Sequence, residues 1–69
     1  MDKHIKKKLV ELAEKSVESI RSGKSEKSRA NLRKQYLTQL KKLNSSSTRK
    51  KAIGFYNQTI KVLIQSSLN

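Results

Sequence analysis

Apolar residues recur every three or four positions through the first third of the chain, from residue 5 to residue 20. At roughly 100° per residue they span about 120° of one helix face, and charged residues occupy the opposite face. Asp2 precedes the pattern as a candidate N-cap, and Gly23 follows it as a residue suited to a left-handed helix end. We therefore predict a helix over approximately residues 2–22. Its apolar positions are Ile5, Leu9, Leu12, Ala13, Val17 and Ile20.

A second helical segment starts at Ser25 or a neighbour, and its apolar stripe predicts a helix over approximately residues 25–44. Arg29 and Arg33 lie beside this stripe, where each side chain can pack along its stem or contact a ligand. The stripe consists of Leu32, Tyr36, Leu40 and Leu43. Lysines repeat every seven residues on the opposite face, at Lys27, Lys34 and Lys41.

The third segment follows the hydroxyl-rich turn NSSS at residues 44–47. Ser47, or Thr48 directly after this turn, is expected to cap a helix over approximately residues 48–67. Its apolar residues cover about 200° of the helix surface, which suggests the most buried helix or one that also contacts a second chain. Gly54 costs about 1 kcal/mol in a helix relative to alanine, so we expect close helix packing there.

Three amphipathic segments joined by short turns predict an all-α fold. The expected architecture is a small antiparallel three-helix bundle with up-down-up topology, formed by a single helical domain over residues 1–69. A helix-turn-helix arrangement is the alternative, with the third segment as the recognition helix. Against this alternative, the third segment is apolar over too much of its surface to lie in a nucleic-acid groove.

Several kinds of chemistry are excluded by composition. The chain has no cysteine and one histidine, His4, so it can form neither a disulfide nor a histidine metal cluster within one chain. Tyr36, Phe55 and Tyr56 share the helical spacing of the aliphatic residues, which favours the core over base stacking, with Phe55 the most exposed.

The carboxylates of the first helix also give no sign of catalysis. Glu11, Glu14 and Glu18 lie on its outward face, where Lys7–Glu11 and Glu11–Lys15 have the i,i+4 spacing of ion pairs. Acid–base or metal chemistry requires a pocket, and no pocket is implied here. We expect neither an enzyme nor a bound cofactor.

Charge is the most informative property of the sequence. The 69 residues carry 17 lysines and arginines and 5 acids, for a formal net charge of +12. All the acids fall in residues 1–26, so the remaining 43 residues carry 10 cations and no acid. Such an acid-free stretch predicts a surface that attracts polyanions.

Up-down-up topology brings the start of the first helix, the end of the second and the start of the third to one end of the bundle. Cations at a helix N-terminus oppose the helix dipole, but together with free N–H groups they suit a phosphate. The alternative is a solvated end that binds nothing. We call this end the basic pole; it carries Lys3, Lys6, Lys7, Lys8, Lys41, Lys42, Arg49, Lys50 and Lys51.

We therefore expect nucleic-acid binding mainly through phosphates, in a regulatory or accessory role. Neither DNA nor RNA is favoured, and no motif for strong sequence readout is present. The alternative is a compact interaction module, a regulator or inhibitor, that docks on an acidic surface of a larger protein. A homodimer through the apolar arc of the third helix is also open. The candidate nucleic-acid-binding residues are Lys6, Lys7, Lys8, Lys27, Lys34, Lys41, Lys42, Arg49, Lys50 and Lys51.

No apolar run approaches the roughly 18 residues of a transmembrane helix, so we expect no membrane association. The first residues also lack the apolar core of a secretory signal, and acids follow them too closely for a transit peptide. The expected location is the cytoplasm.

Overall fold

A computed structural model describes residues 2–23 and 25–68. Within them the chain forms three helices, α1 (Lys3–Arg21), α2 (Glu26–Lys41) and α3 (Ser46–Leu68), with no strand. Both α2 and α3 pack against α1. The predicted all-α three-helix bundle is therefore confirmed.

The ends of the first two helices follow the local signals in the sequence. Asp2 caps α1, because its Oδ1 accepts a hydrogen bond from the backbone N–H of His4 at 2.7 Å. Gly23 ends this segment at φ +65°, the left-handed conformation expected of it. Ser25 caps α2, and its Oγ accepts from the backbone N–H of Ser28 at 3.4 Å. Each of these contacts spans few residues, which is why the sequence predicts them.

The third helix begins two residues earlier than predicted. Its first residue is Ser46, and the Oγ of Ser45 accepts from the N–H of Thr48 at 3.5 Å. The expectation that Ser47 or Thr48 forms the cap is therefore wrong. Leu43 is buried and its N–H donates to the carbonyl of Leu40 at 3.1 Å, so α2 is anchored up to this residue. Ser45 is then the first serine available to cap the next helix.

The helix at the centre of the fold is α1, not α3. Four apolar residues of α1 are buried, and the helix contacts both of the others. On α3, Ile53 is 39% exposed and Val62 is 47% exposed, so the expectation that this helix is the most buried is wrong. One neighbouring helix covers only part of an apolar arc as broad as that of α3. The buried apolar residues of α1 are Leu9, Leu12, Ala13 and Val17.

One end of the bundle has a compact apolar cluster that joins all three helices. Leu9 from α1, Leu40 and Leu43 from the end of α2, and Ala52 from α3 are buried together. Ala52 is fully buried, and its small side chain lets the backbone of α3 approach α1 closely. This cluster fixes the helix ends that carry the basic pole.

From this cluster, α3 packs mainly against α1 and makes few contacts with α2. Two side-chain contacts join it to α1. The Lys6 Nζ lies 5.3 Å from the centroid of the Phe55 ring, and the Ser16 Oγ lies 3.1 Å from the Tyr56 hydroxyl. Because α3 covers mainly α1, part of the α1–α2 pair stays exposed, with Ile20 59% exposed and Leu37 48% exposed.

The close packing expected at Gly54 is also absent. A Cβ atom built on Gly54 would meet no heavy atom within 4 Å outside its own helix backbone, and the residue is exposed. Packing among the residues that the structure describes therefore does not account for the glycine.

Candidate functional site

The basic pole forms where three helix ends meet. Lys3 to Lys8 belong to the first two turns of α1, Lys41 and Lys42 end α2, and Arg49 to Lys51 lie near the start of α3. A shallow cavity lined by side chains from both helices, among them Ile5 and Gln39, shows that the start of α1 faces the end of α2. The topology thus brings together the cations that the sequence placed at this end.

Most cations of the basic pole are exposed, and two of them contact other side chains. Lys8 is half-buried, and its Nζ lies 3.9 Å from an Oε atom of Glu11. The ammonium group of Lys6 lies over the Phe55 ring, within the distance of a cation–π contact. The expected ion pairs of Glu11 with Lys7 and Lys15 are wrong, since Glu11 pairs with Lys8 one turn earlier.

The corrected start of α3 changes the electrostatics of its cations. With the helix beginning at Ser46, Arg49 is its fourth residue, so Arg49, Lys50 and Lys51 lie beyond the three residues that follow the cap. The effect of the helix dipole falls off within the first turn, so these cations oppose it less than the sequence suggested. The first turn itself contains no acidic residue.

The lysines on the outer face of α2 lead away from the basic pole. Lys27, Lys34 and Lys41 are exposed, and each interval of seven residues corresponds to about 10 Å of helix. Lys41 belongs to the basic pole, whereas Lys27 lies roughly 21 Å from it along the helix. These lysines therefore form an exposed row of positive charge that begins at the basic pole.

The aromatic residues pack against the apolar cluster. The rings of Tyr36 and Tyr56 are stacked, with centroids 4.1 Å apart and planes 24° apart. Burial raises the pKa of the Tyr36 hydroxyl above its usual value of 10.0, and Tyr56 beside it raises that pKa further. Phe55 is half-buried like the two tyrosines, so it is not the exposed member of the set. The His4 side chain is exposed.

A groove that the sequence did not predict lies between α1 and α2, at the end away from the basic pole. It has a volume of about 400 Å³ and is open to solvent, with Ile20 59% exposed and Leu37 48% exposed. The only sequence signal for it was the position of Arg29 and Arg33 beside the apolar stripe. We call it the α1–α2 groove; its lining is Ser16, Ile20, Arg29, Leu32, Arg33, Tyr36, Leu37 and Tyr56.

The exposed apolar residues of α3 lie on two sides of the helix. Ile53 and Ile64, 39% and 40% exposed, are eleven residues apart and lie within about 20° of each other around the helix. Val62, 47% exposed, is nine residues from Ile53 and lies about 180° away. The homodimer through the apolar arc of α3 stays a prediction.

Within residues 2–23 and 25–68, no helix has both the length and the apolar character needed to span a bilayer. The same part of the chain has no group of three or more His, Cys, Asp or Glu side chains placed to hold a metal ion. In comparisons with protein-family models, curated proteins and solved structures, nothing matches this chain.

Proposed function

We propose that this protein binds nucleic acid through phosphate contacts at the basic pole, in a regulatory or accessory role. The observation that supports this most is the convergence of three basic helix ends over one apolar cluster. The carboxylates at this end are already engaged. Asp2 caps α1, and Glu11 pairs with Lys8. Most of the cations are left exposed to attract a polyanion.

A duplex presents phosphates along two strands, and each lysine or arginine that neutralises one releases a condensed counterion. The basic pole supplies a cluster of such contacts, and Lys34 and Lys27 extend it along α2. Contacts of this kind position a protein on the backbone and carry little sequence information by themselves. The proposal therefore predicts affinity that depends strongly on salt and weakly on sequence.

The test compares two charge reversals on one face of one helix. Lys50 and Lys61 are both exposed on α3, and their separation of eleven residues places them within about 20° of each other around the helix. Lys61 lies about 16 Å further from the basic pole. Lys50→Glu and Lys61→Glu therefore change the net charge equally, and only the first changes the basic pole.

Binding is measured by fluorescence anisotropy with a labelled DNA duplex and a labelled single-stranded RNA over a series of salt concentrations. For duplex DNA, Lys50→Glu should lower the slope of log affinity against log salt by about 0.9 and weaken binding, because one phosphate contact is lost. Lys61→Glu should leave the slope unchanged. Equal losses in the two variants would show that only net charge matters. No binding by the unmodified chain at low salt would also refute the proposal.

A further inference from the structure

We propose that the α1–α2 groove binds an acidic amphipathic helix of a partner protein, at a surface separate from the basic pole. The inference rests on the shape, polarity and charge of the groove and does not depend on nucleic-acid binding. It assigns a role to Arg29 and Arg33, which lie beside the apolar stripe of α2. It also assigns one to Ile20 and Leu37, two large apolar side chains that the bundle leaves exposed.

The lining of the groove is mainly apolar. It includes the half-buried Leu32, the stacked rings of Tyr36 and Tyr56, and the exposed side chains of Ile20 and Leu37. The groove stays open because α3 packs mainly against α1 and leaves this part of the α1–α2 pair uncovered. An apolar groove between two helices suits the apolar face of a third helix, whose side chains repeat at i, i+3, i+4 and i+7.

The rim of the groove is cationic. Arg29 and Arg33 are exposed and one turn apart on α2, which separates them by about 6 Å along the helix axis. In the part of the chain that the structure describes, neither guanidinium takes part in an ion pair, although Glu26 lines a small cavity beside both. Two carboxylates spaced i,i+4 on a partner helix would match this pair, and arginine binds carboxylates in a bidentate geometry.

Charge and chemistry select this occupant over two others. A second copy carries a net charge of +12, and symmetric docking through the groove would bring the same arginines of both copies together. A nucleobase would require an open aromatic face. Here the two tyrosine rings stack on each other at 4.1 Å, and the other apolar side chains of the groove are aliphatic. An acidic helix with an apolar face satisfies both the apolar lining and the rim.

The test uses the full chain and two synthetic peptides of identical composition. One peptide has leucines at i, i+3, i+4 and i+7 with glutamates flanking them; the other has the same residues in scrambled order. Binding is measured by anisotropy of the labelled peptide, and methyl chemical shifts of Ile20 and Leu37 report its location. We expect the patterned peptide to bind more tightly and to shift these methyl signals.

Two neighbouring charge reversals on α2 serve as the matched variants. Arg33→Glu should weaken binding of the patterned peptide by about tenfold or more, because a charge-assisted hydrogen bond is lost and repulsion is added. Lys34→Glu makes the same change of charge on the outer face of α2 and should have little effect. Circular dichroism confirms that both variants remain folded, as expected for exposed positions.

Three results would overturn the proposal. The first is equal affinity for the patterned and scrambled peptides, and the second is equal loss in Arg33→Glu and Lys34→Glu, since either indicates attraction to net charge alone. The third is complete displacement of the peptide by saturating duplex DNA with no shift of the Ile20 and Leu37 methyl signals. That result would place the peptide at the basic pole. None of these results changes the outcome of the nucleic-acid test with Lys50→Glu and Lys61→Glu. Each proposal can therefore be refuted without refuting the other.

Discussion

Gly54 is an exposed residue in the interior of α3, and its replacement by alanine should stabilise the fold. A glycine in a helix loses more backbone freedom on folding than any other residue. Alanine is more favourable at such a position by about 0.8–1.0 kcal/mol. A Cβ atom at Gly54 would meet nothing within 4 Å, so steric strain does not reduce this gain and new packing does not add to it.

We therefore expect Gly54→Ala to raise the free energy of unfolding by about 1 kcal/mol. For a domain of 60–100 residues, that change corresponds to a rise in Tm of about 4–8 °C. The measurement is thermal and urea unfolding followed by circular dichroism at the helical minimum. The urea slope should not change, because the substitution alters stability and not the surface exposed on unfolding.

Gly23 provides the matched control, because it is the other glycine of the chain and a Cβ atom there would also meet nothing within 4 Å. Its φ is +65°, where an L side chain costs about 1–2 kcal/mol. Gly23→Ala should therefore destabilise the fold, although its surroundings are as open as those of Gly54. A lower Tm for Gly54→Ala would refute the reasoning, because it would mean that another group occupies the space beside Gly54.

Four further predictions test the packing and burial of side chains. Leu40→Ala should lower the free energy of unfolding by about 2–5 kcal/mol, measured in urea, because it leaves a cavity in the buried cluster. A loss below about 1 kcal/mol would show that Leu40 is not buried there. The buried Oγ of Ser19 has no hydrogen-bond partner within the described residues, so Ser19→Ala should raise stability by about 1 kcal/mol. Ser16→Ala, which removes the 3.1 Å hydrogen bond to Tyr56, should instead lower stability by about 0.5–1.5 kcal/mol. If Ser16→Ala and Ser19→Ala changed the free energy of unfolding in the same direction, this reasoning would be wrong. Because the fold favours neutral Tyr36, its contribution to stability is complete below pH 10 and is lost as the pH rises through its raised pKa. In Tyr56→Phe, ultraviolet titration of the remaining tyrosine should therefore give a midpoint above 10.0 in the folded chain and near 10.0 in urea. Equal midpoints would show that burial does not affect this hydroxyl.

Features of the fold that depend on contacts over a few residues could be predicted from the sequence. The caps at Asp2 and Ser25 and the left-handed Gly23 each depend on a side chain or backbone group within three positions. The apolar period of α1 likewise predicted the face that holds its buried residues, because any partner must cover the same face, although Ile20 at its end is 59% exposed. The location of the basic pole followed from connectivity, since short turns bring consecutive helix ends together.

How the helices meet cannot be read from any single helix. The packing of α3 mainly against α1 depends on the size of side chains such as Ala52 in two helices at once, and no single period encodes it. That packing makes α1 the central helix and leaves the α1–α2 groove open. It also brings Ser16 and Tyr56 within hydrogen-bond distance, 40 residues apart in the chain. The start of α3 at Ser46 had the same kind of cause, because the burial of Leu43 fixed where α2 ends and which serine was free to cap the next helix.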